Sequence, residues 1–213
     1  MFNLLYKELR LAAHPNLYVF AAMGALVLIP AYPYGVVFLF GCLGPYITFM
    51  YGRETNDIYY TALLPVKKRD TVKSKCMLMV LAQLAQLVFS LPFAVLRTHI
   101  LSNGNVVGIE ANVAFYGFGL MIYGIFNAIF LPEFFKTAHK VGRAFLLAII
   151  PTTLGIIAME SAVHFPGMAW LDSVAAADQL RQLPILAIGT VVYILAAILA
   201  YRVSAQRFEQ VNL

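Results

Sequence analysis

The chain has 213 residues, of which 62% are hydrophobic and only 12% are charged, and its mean hydropathy is +0.80. Soluble domains carry about 25% charged residues, so a water-soluble fold of this composition would lack the polar surface to cover itself. The formal net charge is +5. The two cysteines, Cys42 and Cys76, both fall in predicted membrane helices, which indicates neither a disulfide framework nor a zinc site.

The first fourteen residues predict an amphipathic helix that lies in the membrane interface. Polar residues recur along it at helical steps, apolar residues form the opposite stripe, and Pro15 ends it where the first span begins. The alternative is a frayed tail adsorbed to the membrane. Because the segment has no basic stretch followed by an apolar run, a cleavable export signal is not predicted.

Six segments approach the roughly 20 apolar residues that a membrane-spanning helix needs. They cover residues 17–31, 34–52, 76–96, 111–131, 144–163 and 183–201. The first is short and ends at the break made by Pro30 and Pro33. In the fourth, Gly117 and Gly124 are seven residues apart and predict a close-packed helix face. We therefore predict an all-α membrane protein whose single six-helix domain, residues 15–213, follows the interfacial helix over residues 1–14.

The lysines and arginines predict how the chain is oriented in the membrane. Thirteen of the 15 lie in alternate loops and at the two termini, and only Arg97 and Arg181 lie on the other side. Short basic loops are retained in the cytoplasm. Both termini and the basic loops are therefore predicted to be cytoplasmic.

The longest predicted cytoplasmic loop, residues 53–75, contains a short helix followed by a basic run. Acidic residues lie in the first turn of that helix, where they favour the positive end of the helix dipole, and Pro65 stops it. Topology alone needs no exposed aromatic and aliphatic residues here, so we predict a docking surface for a cytosolic partner. Its predicted residues are Glu54, Asp57, Ile58, Tyr59, Tyr60, Leu63, Leu64 and Pro65. For Lys67 to Lys75, contact with lipid headgroups explains the pattern equally well.

Polar side chains within the predicted spans are candidates for a substrate path, because such groups usually face a helix interface or a wet cavity. They are Gln83, Gln86, Asn127 and Glu160. Hydrogen bonds between helices also explain the three amides without any substrate. Glu160, near the outer end of its span, either pairs with Arg97 or His164 or lines the exit of a path.

Motifs for catalysis are missing from the sequence. There is no glycine-rich phosphate loop, no HExxH and no Gly-x-Ser-x-Gly elbow. The four histidines lie in separate segments, which argues against a shared metal site. We predict that the chain is not an enzyme, and that any ATP-driven function requires a separate subunit.

Three motifs and the six-span layout resemble those of ABC-2 type transporter permeases. The motifs are Leu5-Tyr6-Lys7-Glu8-Leu9-Arg10, Asp57-x-x-Tyr60-x-x-x-Leu64-Pro65-Val66 and Arg69-x-x-Val72-x-x-Lys75. Among these permeases, the compact membrane subunits of bacterial peptide exporters, such as the phenol-soluble modulin exporter, look most similar.

This resemblance implies the roles of three loops. Residues 53–64 would be a coupling helix that docks on an ABC ATPase. Residues 132–143 would make a second, shorter contact through Glu133, Phe134 and Lys136, although a helix turn carrying topology charges explains that loop too. The outer loop, residues 164–182, suits a re-entrant element.

The resemblance also implies the partners. Two ATPase subunits would bind ATP and magnesium, and this chain, with no cofactor of its own, would pair with a second copy or with a closely related permease. The assembly would export an amphipathic or hydrophobic substrate, such as a peptide, across a bacterial cytoplasmic membrane. Membrane lipid is an expected partner and nucleic acid is not.

Two other classes of function fit less of the sequence. The first is a six-span substrate-binding subunit of a vitamin importer, which matches the length and span count but has no projecting coupling helix. The second is a membrane enzyme acting on lipid. That enzyme would need acids or histidines clustered at one membrane depth, and the sequence predicts no such cluster.

Overall fold

The computed structural model describes residues 2–100, 104–105 and 107–212, and the regular structure in these residues is helical. The helices are α1 (Phe2–Lys7), α2 (Asn16–Ala22), α3 (Val36–Glu54), α4 (Asp57–Ala62), α5 (Lys68–Ile100), α6 (Val113–Phe135), α7 (Val141–Ala162) and α8 (Ala176–Glu209). A π-helical turn, Glu8–Ala12, continues α1, and a 3₁₀ segment, Met23–Leu28, continues α2. One further 3₁₀ turn covers Ala169–Leu171.

Five of these helices, α3 and α5 to α8, are long and apolar enough to cross a membrane. A sixth crossing is possible only if Phe2–Ala12 and Asn16–Leu28, which meet at an angle of 92°, count as one broken span. The structure therefore supports an all-helical membrane protein with five to six spans. The segment 164–182, predicted as the outer loop, holds one 3₁₀ turn, and its last seven residues belong to α8.

We call the end of the bundle that carries the basic loops and the last turn of α8 the basic end. Contacts between chain-distant segments define it: Lys75 meets Glu8, and Arg207 of α8 meets Glu133 of α6. At the opposite end, Arg97 of α5 forms a two-pronged ion pair with Glu110, with both N–O distances at 3.0 Å. Each end of the bundle is therefore tied by ion pairs across chain-distant elements.

The segment predicted as the first crossing, α2 with the 3₁₀ segment that continues it, is too short to span a bilayer as a helix; we keep the name first crossing for it. Its seven α-helical and six 3₁₀ residues extend roughly 22 Å at ~1.5 and ~2.0 Å per residue, against a hydrocarbon core of ~30 Å. The chain then runs as irregular backbone from Ile29 to Gly35 before α3 begins. Exposed peptide groups at that depth must find partners inside the protein.

Side chains from other parts of the chain bind this stretch and the helices on either side of it. The Gln86 amide donates to the carbonyl oxygens of Phe20 in α2 and Val37 in α3, at 2.9 and 3.0 Å. Within the irregular stretch, the Tyr32 carbonyl accepts from the Asn105 amide at 3.0 Å. A Glu160 carboxylate oxygen accepts the Gly35 N–H at 2.5 Å. Polar side chains from three other parts of the chain therefore hold this stretch and its two flanking helices.

Helix α6 lies against α8 along a line of small residues, as the spacing of Gly117 and Gly124 predicts. A Cβ added at Gly189 of α8 would collide with the Gly117 carbonyl oxygen, and one added at Gly117 would lie 2.8 Å from the Ile185 backbone. One at Gly124 would lie 3.3 Å from the Ala196 Cβ. The two backbones therefore touch directly, which is the usual way for helices to associate in lipid.

This contact predicts a large difference between two identical substitutions. Gly189→Ala should destabilise the protein by about 1–3 kcal/mol, because an extra methyl must push two backbones apart. Gly142→Ala is the matched control, since a Cβ there meets nothing within 4 Å, and it should change stability by less than about 1 kcal/mol. Thermal unfolding of the purified variants in detergent measures both. Equal stability of the two variants would contradict the close contact.

Candidate functional site

Helix α4 projects at the basic end, between the end of α3 and the start of α5. It begins after a sharp turn in which Asn56 takes a left-handed conformation with φ of 54°, which asparagine tolerates better than most residues. Four apolar side chains on and just after α4 face outward: Tyr59 (53% exposed), Tyr60 (64%), Leu63 (67%) and Leu64 (50%). We call these four residues the α4 face. With only six residues, α4 is too short to cross lipid.

The other side of α4 is buried, which corrects part of the sequence-based prediction. Ile58, predicted as a docking residue, is only 8% exposed and belongs to the hydrophobic core. Thr61, one helical turn later, is buried beside it because residues three apart share a helix face. Asp57, also predicted at the contact, points the same way. Glu54 and Pro65 are exposed, as a surface role requires.

Asp57 belongs to a ring of four charges that we call the ion cluster: Lys7, Glu8, Asp57 and Lys75. The Lys75 ammonium lies 2.7 Å from Glu8 and 2.6 Å from Asp57. The Lys7 ammonium lies 2.9 Å from Glu8 and 2.7 Å from Asp57. Each lysine therefore bridges both carboxylates, and the four charges sum to zero.

The cluster is withdrawn from solvent. The Glu8 side chain is 0% exposed and that of Lys75 is 4% exposed. Burial by itself raises the pKa of Asp57, but the ammonium groups of Lys75 and Lys7 outweigh that effect and hold the pKa below its ordinary value of 3.8. Asp57 is therefore ionised at neutral pH, and loss of one member of the cluster would leave an opposite charge unpaired in the interior.

The ion cluster connects three elements that are far apart in the sequence. Lys7 and Glu8 lie where α1 passes into its π-helical turn, Asp57 starts α4, and Lys75 lies in the first turns of α5. Lys7 also donates to the Thr61 hydroxyl at 2.9 Å. A displacement of α4 must therefore pull on both α1 and α5, so the cluster is a mechanical link behind the α4 face.

The sequence patterns placed Lys7, Glu8 and Lys75 in the family motifs and counted the two lysines among the basic residues that set topology, but they predicted no ion pair between these residues. A signal for Glu8 was present, since it lies on the same helical side as Leu5 and Ala12 and so places a carboxylate within the apolar stripe of the N-terminal helix. A charge in an apolar stripe is rarely left without a partner. The position of that partner on α5, 67 residues away, is visible only in the fold.

A second exposed area lies beside α4. A cavity of about 200 Å³ opens between Arg53, Tyr59, His139 and the C-terminal residues Val211 and Asn212. This cavity joins the α4 face to the α6–α7 turn and to the end of the chain.

The predicted second contact is partly corrected. Lys136 is exposed, as predicted, but Phe134 is 2% exposed and packs edge-on against Phe49 with ring centres 4.7 Å apart. It is therefore a core residue, because α6 turns this position toward α3. Glu133 is bound by Arg207 of α8 at 2.7 Å. Of the three predicted residues, Lys136 is the most accessible.

The amides proposed for a substrate path are engaged between helices. Gln83 and Asn127 donate to each other's carbonyl oxygens at 2.9 and 2.8 Å, and the Tyr193 hydroxyl donates to Gln83 at 3.0 Å. Gln86 holds the backbone of the first crossing and accepts from the Tyr123 hydroxyl. Gln83, Gln86 and Asn127 are fully buried. Their polar atoms bind neighbouring helices, which agrees with the alternative that these amides hold the helices together and do not line a substrate path.

Glu160 has different partners from those suggested by the sequence. Arg97 is bound to Glu110, and the Glu160 carboxylate instead accepts two backbone N–H groups, from Gly35 at 2.5 Å and from Ile109 at 3.0 Å. It also lines a groove that His164 shares.

The chain matches a protein-family model along nearly its whole length. A family model described as "ABC-2 family transporter protein" matches residues 3–209, from the start of α1 to the last turn of α8. No curated protein and no solved structure matches the chain. The family match includes the ion cluster, the α4 face and all the long helices.

The buried charges predict a large effect of single substitutions. Lys75→Ala should destabilise the protein by about 3–5 kcal/mol, because Glu8 would lose its most deeply buried partner. Combining it with Glu8→Ala should destabilise by less than the sum of the two single effects, since the stranded charge is gone. Arg69→Ala is the control, because its pair with Glu209 lies on the surface, and should leave thermal unfolding unchanged. Additive effects of Lys75→Ala and Glu8→Ala would disprove the link.

The lowered pKa of Asp57 predicts how the stabilisation of the fold by the ion cluster depends on pH. A carboxyl whose pKa is lower in the folded than in the unfolded chain stabilises the fold above the unfolded value and loses that effect as the pH falls through the folded value. Asp57→Asn should therefore lower the melting temperature most at neutral pH. The difference from the native chain should shrink below pH 3.8, as measured by melting curves at a series of pH values. A constant difference would refute this assignment.

Proposed function

The chain belongs to the ABC-2 family of transporter proteins and is therefore a membrane permease subunit of an ABC transporter; we propose that it works as an exporter in a bacterial cytoplasmic membrane. Permeases of this family generally work with an ABC ATPase. The proposal concerns how this chain engages that ATPase, which way it faces and how it forms a path.

The observation that carries the proposal is the α4 face with the ion cluster behind it. Tyr60, Leu63 and Leu64 are at least half exposed on a helix too short to meet lipid along its length. Large apolar side chains exposed together outside the membrane are typical of a protein interface. We assign the α4 face as the contact with the ATPase, and the adjoining 200 Å³ cavity as part of the same surface.

The ion cluster supplies the route from the ATPase to the membrane helices. When ATP draws two ATPase subunits together, each α4 would move with the subunit it contacts. Because Asp57 is held by Lys7 and Lys75, that movement would pass to α1 and to the whole of α5. A rigid connection is needed here, since a flexible loop would absorb the displacement.

The proposed orientation has the basic end in the cytoplasm. Thirteen of the 15 lysines and arginines lie there, which favours retention on that side. The α4 face lies at the same end, where ATP is available. In this orientation Glu110, Glu160 and Asp172 lie toward the outside.

We propose that the transport path forms between two copies of the chain, or between this chain and a related permease. The amides inside a single copy are used to bind helices to each other, which supports a path outside the helix bundle of one copy. Two ATPase subunits would complete the assembly and bind the ATP and magnesium.

The proposal predicts the effect of removing the α4 face. The double variant Tyr60→Ala with Leu64→Ala should reduce co-purification of the co-expressed cognate ATPase at least about tenfold, because two large apolar contacts are lost. The matched control is Leu84→Ala with Val88→Ala, an exposed apolar pair at the same spacing on α5, and it should leave co-purification unchanged. Membrane insertion should be normal in both. Full recovery of the ATPase with the α4 variant would overturn the assignment.

A further inference from the structure

A groove of about 550 Å³ lies between α7 and the irregular chain that follows the first crossing. Its lining is mainly apolar and includes Pro33, Ile156, Ile157 and Phe165, with Glu160 as the carboxylate. We call it the Glu160 groove. Its volume lies within the range of about 300–1,000 Å³ that is usual for small-molecule sites.

The groove lies beside the irregular segment that follows the 3₁₀ segment, which ends at Leu28. Pro33 of that irregular segment and the last turns of α7 line it together. Ile157 and Phe165 are 55% and 61% exposed. Glu160 lies 19 residues after the start of α7, about 28 Å along the helix, and therefore near the membrane boundary opposite the basic end.

The carboxylate in the groove is fixed in place. Its two oxygens accept the N–H groups of Gly35 and Ile109, so both ends of the carboxylate are tied to the backbone. A Cβ added at Gly108 would collide with one of these oxygens, so the backbone approaches the carboxylate as only glycine permits.

No positive side chain among the described residues forms an ion pair with Glu160. Of the two partners suggested by the sequence, Arg97 is bound to Glu110, and His164 lines the same groove without an ion pair to Glu160 among the described residues. A carboxylate oxygen has two lone pairs, so each oxygen of Glu160 retains one after its bond to the backbone. A half-buried negative charge at the wall of an apolar groove is stabilised by a cation that brings its own apolar surface.

We propose that the Glu160 groove binds lipophilic organic cations. These cations are the proposed substrate class of the transporter, and the groove is where they bind at the outer boundary of the membrane. The assignment to transport depends on the proposed function, whereas binding itself does not. The cation would lie against the free face of the carboxylate, and its apolar groups would contact Ile156, Ile157 and Phe165.

Two ions of nearly the same shape and opposite charge test the proposal. Tetraphenylphosphonium and tetraphenylborate each surround one charge with four phenyl rings. Equilibrium dialysis against the purified chain in phosphatidylcholine nanodiscs, with empty nanodiscs subtracted, should show saturable binding of the phosphonium at one per chain. The borate should show none. Equal binding of both ions would mean that the groove is only an apolar surface, of the kind a lipid chain fills, and would overturn the proposal.

Two variants separate charge from folding. Glu160→Gln should weaken phosphonium binding at least about tenfold, but it also disturbs one backbone hydrogen bond. Ser161→Lys leaves Glu160 intact and places an ammonium beside it. The hydroxyl of Ser161 bonds only to the Ile157 carbonyl of its own helix, so this substitution should abolish phosphonium binding without unfolding the chain.

The matched control is Ala175→Lys, which adds the same charge at an exposed position at the same end and should leave phosphonium binding unchanged. Unchanged binding in Ser161→Lys would refute the site. Since dialysis uses the chain without its ATPase, loss of ATPase co-purification and loss of cation binding are independent results. Cation binding in a chain that associates with no ATPase would retain the groove and reject the export assignment.

Discussion

Every peptide group within the hydrocarbon core must find its hydrogen-bond partner inside the protein, and much of this structure follows from one place where helix geometry cannot meet that demand. The first crossing ends at Leu28, and the chain continues as irregular backbone to Gly35. Asn105 and Glu160 supply partners to this stretch, and Gln86 binds α2 and α3 on either side of it. The same irregular stretch lines the groove beside α7 through Pro33.

The ion cluster solves a separate problem at the other end of the molecule. The contact surface proposed for α4 must be attached rigidly if it is to transmit force, and α4 has only six residues with which to attach itself. Ile58 and Thr61 bury one side of it, and Asp57 places its carboxylate between two lysines. Single surface ion pairs stabilise proteins little. In a buried ring in which each charge has two partners, however, the loss of any one charge leaves another without its full set of partners. Such a ring is better suited to holding α4 in place than to stabilising the fold as a whole.

Polar residues in the spans illustrate why chemistry alone does not identify a substrate path. Gln83 and Asn127 satisfy each other, and Gln86 holds the first crossing. Glu160 differs because its hydrogen bonds are to two backbone N–H groups, and no described side chain forms an ion pair with it. The distinction depends on which groups meet across the fold, and hydropathy cannot reveal it.

The sequence by itself determined the class of the protein. Composition, six apolar segments and the distribution of lysine and arginine predict a polytopic helical membrane protein. They do so because the hydrophobic length and charge of a segment are local properties that directly determine whether it inserts in the bilayer and which way it faces. The projecting helix after α3 and the close contact at Gly117 also follow from local patterns. Tertiary structure decided which side of α4 faces outward, since the direction of Ile58 and Phe134 depends on packing against α3 and its neighbours. It alone brought Glu8 to Lys75 and separated Glu160 from Arg97. Electrostatic partners are chosen by proximity across the whole fold, and residues 67 positions apart leave no local pattern from which that proximity can be predicted.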